Sequence, residues 1–240
     1  MITLKKTGKI FIAIMILTGI ISCDDDKDTI AFKVVGDVFV VKRKIDDETK
    51  FANAYYAYGT HSMSLAKVTT PDGTAIQLNP LGDQANTYQV EPKMNDYATD
   101  LPEPGNYTFD VINEDIPHQA IDLLEFDNID YPTITSTEYN NASQTLTVEW
   151  ETVEQADKYV VKMANNVGVI VYDVGQLLPN TMTSFQIDPN VGNWTEEPII
   201  GTSYTVEVYA YLYENGTDAD DFKFHIQEIS VGEKEIVWGE

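Results

Sequence analysis

The sequence predicts an all-β chain built as two tandem β-sandwiches behind an N-terminal leader. Apolar and polar residues alternate in short runs, as in Leu146, Val148 and Trp150 against Thr147 and Glu149, the period of a strand with one buried face. Turn residues separate such runs, at Pro71-Asp72-Gly73 and at Pro102-Glu103-Pro104-Gly105, where fixed or positive φ reverses the chain. No stretch of ten or more residues has the spacing of an amphipathic helix, which leaves sheets as the only layers available.

Residues 1–22 read as a signal peptide. Lys5, Lys6 and Lys9 form a positive start, and residues 10–21 are almost purely apolar, shorter than the roughly 20 residues a membrane-spanning helix needs. Ile20-Ile21-Ser22-Cys23 resembles the lipobox of bacterial lipoproteins. That resemblance implies cleavage after Ser22 and acylation of Cys23, with two or three acyl chains holding the protein to a membrane without a spanning helix. The alternative is a free thiol. Residues 23–30 form an acidic tether in which Asp24, Asp25, Asp26 and Asp28 are similar to the export signal of Bacteroidota-type surface lipoproteins. The expected location is the outer membrane, lipid-anchored and facing the exterior, with a periplasm-facing anchor as the alternative.

From Cys23 onward the chain has 218 of its 240 residues, enough for two domains of about 100 each. Residues 31–128 form the first. Its β-rich runs lie at 38–41, 52–58, 65–69, 88–90 and 107–111. The acidic segment 123–132, which contains Pro132, closes it and leads into the second domain, residues 131–240. There Leu146, Val148 and Trp150 are followed by Tyr159, Val161 and Met163, then by Phe185 and Ile187, then by Tyr204, Val206, Val208, Ala210 and Leu212 on one side of a long strand.

Trp150 on an early strand, Tyr159 on the next, and Gly201-Thr202-Ser203-Tyr204-Thr205-Val206-Glu207-Val208-Tyr209-Ala210 later resemble a fibronectin type III domain. The resemblance implies that Trp150 fills the core between sheets and that Tyr204 is a tyrosine corner, its hydroxyl bonded to nearby backbone. Residues 187–201 depart from the family by a longer connection, and residues 222–238 are long enough to hold a second strand after Gly232. Gly105-Asn106-Tyr107 echoes the Gly-to-Tyr strand, so the first domain is expected to be immunoglobulin-like, with a tyrosine corner of its own.

Charge and chemistry narrow the function. The chain carries 15 Lys+Arg against 39 Asp+Glu, a net charge of −24, and loss of the leader's three lysines takes it to −27. Such a field repels phosphate backbones, so no nucleic acid is expected as partner. Cys23 is the only cysteine, so packing rather than disulfides must hold both cores. His61, His118 and His225 have no metal-ligand spacing, and no GxSxG, HExxH or Gly-rich phosphate loop occurs,. The expectation is a non-enzyme without a required cofactor. A small hydrolase using paired carboxylates is the alternative.

Two features are candidate sites. Asp218, Asp220 and Asp221 offer hard oxygen ligands for calcium, although their spacing is not that of an EF-hand; the bland reading is a solvated acidic loop. Alternation along residues 204–213 sends Tyr209, Tyr211 and Tyr213 to the outer face of the sheet, flanked there by Lys162 and His225. This row suits a protein partner or a glycan, or packing against the neighbouring domain. Loop Trp194 and the cluster Tyr55, Tyr56 and Tyr58 carry a weaker form of the same signal. The functional expectation is a lipid-anchored binding or adhesion module or a subunit of an envelope complex, with an accessory glycan-binding surface lipoprotein as the alternative.

Overall fold

A computed structural model describes residues 31–217 and 224–240, and among them it is all-β, with no α-helix. The first half contributes β1 (Val34–Ile45), β2 (Glu48–Gly59), β3 (Leu65–Thr69), β4 (Ala75–Gln77), β5 (Asn79–Leu81), β6 (Gln84–Val90), a 3-10 turn at Met94–Asp96, β7 (Gly105–Asn113) and β8 (Ile116–Leu124). The second contributes β9 (Ile134–Asn140), β10 (Thr145–Trp150), β11 (Lys158–Asn165), β12 (Ile170–Asp173), β13 (Leu178–Pro179), β14 (Ser184–Ile187), β15 (Asn193–Trp194), β16 (Ser203–Tyr213) and β17 (Ile226–Val237).

Two hairpins set the first sandwich. Asp46 and Asp47 take φ of 54° and 63°, and Glu114 and Asp115 take 47° and 63°, the two-residue turn whose twist matches that of its strands. The first turn pairs β1 with β2 over their full length, from Ile45↔Glu48 to Val34↔Gly59. Both strands therefore run well past the apolar stretches that announce them. The second pairs β7 with β8, a strand the sequence conceals because Ile121 and Leu123 put apolar side chains on its exposed side. Val38, Val40, Tyr55, Ala57, Tyr107 and Phe109 pack into one core. Gly36 is required there, since a Cβ would fall 2.1 Å from the Phe109 ring.

The second sandwich closes around Trp150, Tyr159, Val161, Met163, Tyr204, Val206 and Val208. Trp150 meets Tyr159 edge to face at 5.6 Å, and the Tyr159 hydroxyl accepts the Val153 N–H at 2.7 Å. Tyr204 accepts the Ile199 N–H at 3.0 Å, and Tyr107 donates to the Glu103 carbonyl at 2.8 Å, so each sandwich has a tyrosine tied to backbone a few residues upstream. The long connection after Ile187 yields the short edge strand β15 on β12. Beyond Gly232 there is no second strand: β17 is continuous and pairs with β16 from Ile226 to Val237.

The two halves are not simply strung in series. β17 also pairs in parallel with β1, Val40↔Glu228 through Lys42↔Ser230, fusing one sheet of each sandwich into the order β15-β12-β11-β16-β17-β1-β2-β6-β5. Sheet β14-β10-β9 covers one half of its inner face and β4-β3-β7-β8 the other. Residues 32–240 accordingly form one unit. The linker after β8 is bonded to the seam between β1 and β17. Lys42 donates to the Ile129 carbonyl and, at 3.3 Å, to Asn128 Oδ1. Glu228 accepts the Asn128 N–H at 2.9 Å and lies 3.6 Å from Lys42 Nζ. Ser230 donates to the Asp130 carbonyl at 2.7 Å. Gly232 lets Pro132 approach, because a Cβ there would sit 1.8 Å from the Pro132 carbonyl oxygen.

Candidate functional site

The outer face of the fused sheet bears a third apolar cluster, built from both halves. β16 alternates as a strand must: Tyr204, Val206, Val208 and Ala210 enter the second core, while Tyr209, Tyr211 and Tyr213 face the other way and pack with Phe39, Val41 and Ala54 of β1 and β2 and with Val160, Ile226, Ile229 and Val231. Three tyrosines standing free on the surface are thus not what forms. Tyr209 and Tyr213 are 8% and 5% exposed, and only Tyr211 is half-buried. Fusion with β1 and β2 supplies the neighbours that cover them. The backbone pairing of Ala98 with Phe51 holds the segment carrying Tyr97 beside the same cluster.

A trough of about 800 Å³ remains on this face, lined by Phe39, Arg43, Tyr56, Tyr58, Tyr209 and Tyr211, with Glu91, Lys93 and Met94 at its lip. From β2 to β11 it crosses five strands, roughly 19 Å at a spacing of about 4.8 Å. Its rings pack on one another. Tyr56 stacks on Phe39 at 5.7 Å and on Tyr58 at 5.6 Å, and Tyr58 takes the edge of Phe224 at 4.6 Å. Tyr211 stacks on Tyr213 at 6.4 Å. Tyr209 lies 5.0 Å from Lys162 Nζ and 5.5 Å from the Arg43 guanidinium, measured to its ring centre.

Arg43 organises the middle of the floor. Its Nη1 lies 3.0 Å from Glu207 Oε1 and also bonds Glu233, and its Nη2 donates to the Tyr209 hydroxyl at 2.7 Å. That hydroxyl donates in turn to Glu207. Lys162 pairs with Asp173 at 3.2 Å. The Tyr56 hydroxyl donates to Glu91. Burial raises the phenols of Tyr56, Tyr58, Tyr97, Tyr209 and Tyr211 above their ordinary range, with the carboxylates of Glu91 beside Tyr56 and Glu207 beside Tyr209 adding to it. Each therefore keeps its proton at neutral pH and presents hydrogen-bonding hydroxyls rather than charge.

The remaining expected residues are elsewhere. His225 precedes β17 with φ 63°, pairs with Glu214 at 3.3 Å and does not line the trough. Trp194 packs on the second core, 4.7 Å from Tyr172 and 6.0 Å from Trp238, while its Nε1 donates to the carbonyls of Asp188 at 3.0 Å and Val191 at 3.1 Å. Cys23, Asp24, Asp25, Asp26 and Asp28, like Asp218, Asp220 and Asp221, lie outside the described residues. Arg43 and Phe39 carry no site signal in the sequence, because nothing local announces that β1 continues a sheet begun some 190 residues later. Tyr56 and Tyr58 could be found by alternation, since it places them on the face opposite Tyr55.

No protein-family model matches the chain, and no characterised protein sequence matches it. Among solved structures, the FN1–FN3 domains of chicken CNTN1 align with a TM-score of 0.32 at 12% identity, over 85% of this chain and 66% of that one. The BSP domain of a biofilm associated protein aligns with a TM-score of 0.24 at 13% identity, over 86% and 30%. A tetra-tandem repeat from the extending region of a large adhesion protein aligns with a TM-score of 0.24 at 13% identity, over 85% and 49%. This chain thus spans between 30% and 66% of the length of those three.

Proposed function

We propose that this protein is a lipid-anchored, exterior-facing binding module that takes an extended polypeptide segment of a partner in the trough of the fused sheet, without catalysis. The observation that supports this reading most is the way the rings are used. A sugar stacks on an open aromatic face, but here the Tyr56 ring is stacked with Phe39 and Tyr58, and the Tyr209 ring lies against two cations. The packed rings and the apolar residues between them, with Glu91, Lys93 and Lys162 lining the same trough, suit inserted side chains and a polypeptide backbone,. The acids at the centre, Glu207 and Glu233, are both held by Arg43, an arrangement that positions groups rather than moving protons. The anchor and the exterior location rest on Cys23 and the acidic tether alone.

The test is selection of displayed random peptides against the full-length protein in detergent, run beside a panel of polysaccharides. Selected peptides are expected to lose about 30-fold or more in affinity in Tyr58→Ala or Tyr211→Ala, the scale of a buried aromatic anchor. Peptides that bind both variants as they bind the wild type refute the trough as their site. Polysaccharide retention that Tyr211→Ala abolishes favours the glycan-capturing alternative instead.

A further inference from the structure

Apart from the trough, the fold gathers three carboxyl groups, two from strands and one from just past the end of a third. Asp37 lies on β1 opposite Tyr56 of β2. Asp122 lies on β8 and reaches back to β1, where its Oδ2 accepts the Val38 N–H at 2.6 Å while Oδ1 accepts the Leu123 N–H at 3.0 Å. Glu214 follows β16 directly, its N–H donating to the His225 carbonyl at 2.8 Å. One carboxylate oxygen of each lies within 4.8 Å of those of the other two.

Asp37 is 0% exposed, and neither of its oxygens has a partner that meets hydrogen-bond geometry. The Ile226 amide lies near enough to ease its charge but not to satisfy it. Among the described residues no lysine, arginine or histidine nitrogen comes within 4.0 Å of Asp37 or Asp122, and the one basic neighbour of Glu214 is His225, whose Nδ1 lies 3.3 Å from it. Two buried acids and a half-buried third held together, one of them with both oxygens unused, call for a positive charge among them,.

We propose that Asp37, Asp122 and Glu214 bind a divalent cation, calcium, that links the two sandwiches. The donor set is oxygen only, which suits a hard cation rather than zinc. Calcium–oxygen distances of about 2.3–2.6 Å place ligands up to roughly 5 Å apart across the ion, and its tolerance of irregular geometry matches ligands drawn from three separate parts of the chain. Glu214 is the partly exposed member, so water reaches the ion on that side to complete the shell. With β1 and β8 in the first sandwich and β16 in the second, the ion ties both halves of the fused sheet at the end where β17 begins.

The probe is calcium chloride added to the full-length protein after treatment with chelator, read by calorimetric titration and by thermal unfolding. One ion per chain is expected, with an unfolding midpoint raised by roughly 5–10 °C at about 100-fold excess over the dissociation constant. Asp37→Asn and, at the more exposed end where folding is less at risk, Glu214→Gln should each abolish the response. Joint replacement of Asp218, Asp220 and Asp221 by asparagine should keep it. No response to calcium up to about 10 mM, beyond the weak end of protein calcium sites, overturns the proposal. So does a response that survives Glu214→Gln, or one that the triple replacement removes.

Discussion

Replacing Lys42 by methionine removes the cation at the seam while nearly preserving side-chain length. Lys42 and Glu228 are 3% and 2% exposed, so the substitution leaves a carboxylate buried without its counter-charge, at a cost of about 3–5 kcal/mol. It also strips the Ile129 carbonyl of its donor, a group whose desolvation costs about 1–3 kcal/mol. These overlap, and a loss of about 4 kcal/mol is expected, or roughly 8–16 °C in unfolding midpoint for a chain of this size. Burial raises the Glu228 carboxyl above its ordinary 4.5, and Lys42 pulls it back down. Without Lys42 the folded-state value rises further. A raised carboxyl contributes stability that is present below the unfolded value and lost as pH climbs through the folded one, so the deficit is largest above neutrality and shrinks toward pH 4.5. The double substitution Lys42→Met with Glu228→Leu removes both charges but orphans the Asn128 N–H and the Ile129 carbonyl, and should remain about 2 kcal/mol below wild type. Urea unfolding measures all three. Trp150, Trp194 and Trp238 all belong to or pack on the second core, so their fluorescence follows that sandwich while far-ultraviolet dichroism follows both. The two probes should coincide for the wild type and separate for Lys42→Met. A cost below about 1 kcal/mol, or a double variant as stable as wild type, refutes the role assigned to the pair.

Gly36→Ala and Gly232→Ala should each destabilise by about 1–3 kcal/mol or more in the same urea assay. The first is expected to recover in part with Phe109→Leu, whose ring it meets, and the second not to recover with any side-chain change, because its obstacle is the Pro132 carbonyl. Tyr159→Phe leaves the buried Val153 N–H unpaired and should cost about 1–3 kcal/mol, against about 1 kcal/mol for Tyr107→Phe, whose hydroxyl bonds lie in a partly exposed setting,. Mass spectrometry of protein made in its native host should find a chain beginning at Cys23 and carrying fatty acids. Protease added to intact cells should remove it, and replacing Asp24, Asp25 and Asp26 by alanine should protect it.

What the sequence made legible was whatever a strand declares within its own few residues. The alternation of Leu146, Val148 and Trp150, the echo of Tyr107 in Tyr204, and the facing of Tyr209, Tyr211 and Tyr213 are all local patterns, and each side chain stands where its own neighbours put it. The same row shows the limit. Alternation assigns a face, but whether that face meets solvent depends on what is placed against it, and here the cover comes from Phe39 and Ala54 at the far end of the chain. Strand β8 was hidden because apolar residues on its exposed side blur the alternation. Asp37 gave no signal at all: a single aspartate in an apolar strand becomes distinctive only when Asp122 and Glu214 are brought to it from other elements.

The parallel pairing of β1 with β17 also decides how the molecule carries tension. Because the two strands run the same way, a pull on Val34 toward the N-terminus and on Val237 toward the C-terminus slides one strand along the other. The hydrogen bonds between them then stretch together instead of opening one at a time like a zip. The fused sheet thus resists most strongly a pull directed along the line from Val34 to Val237.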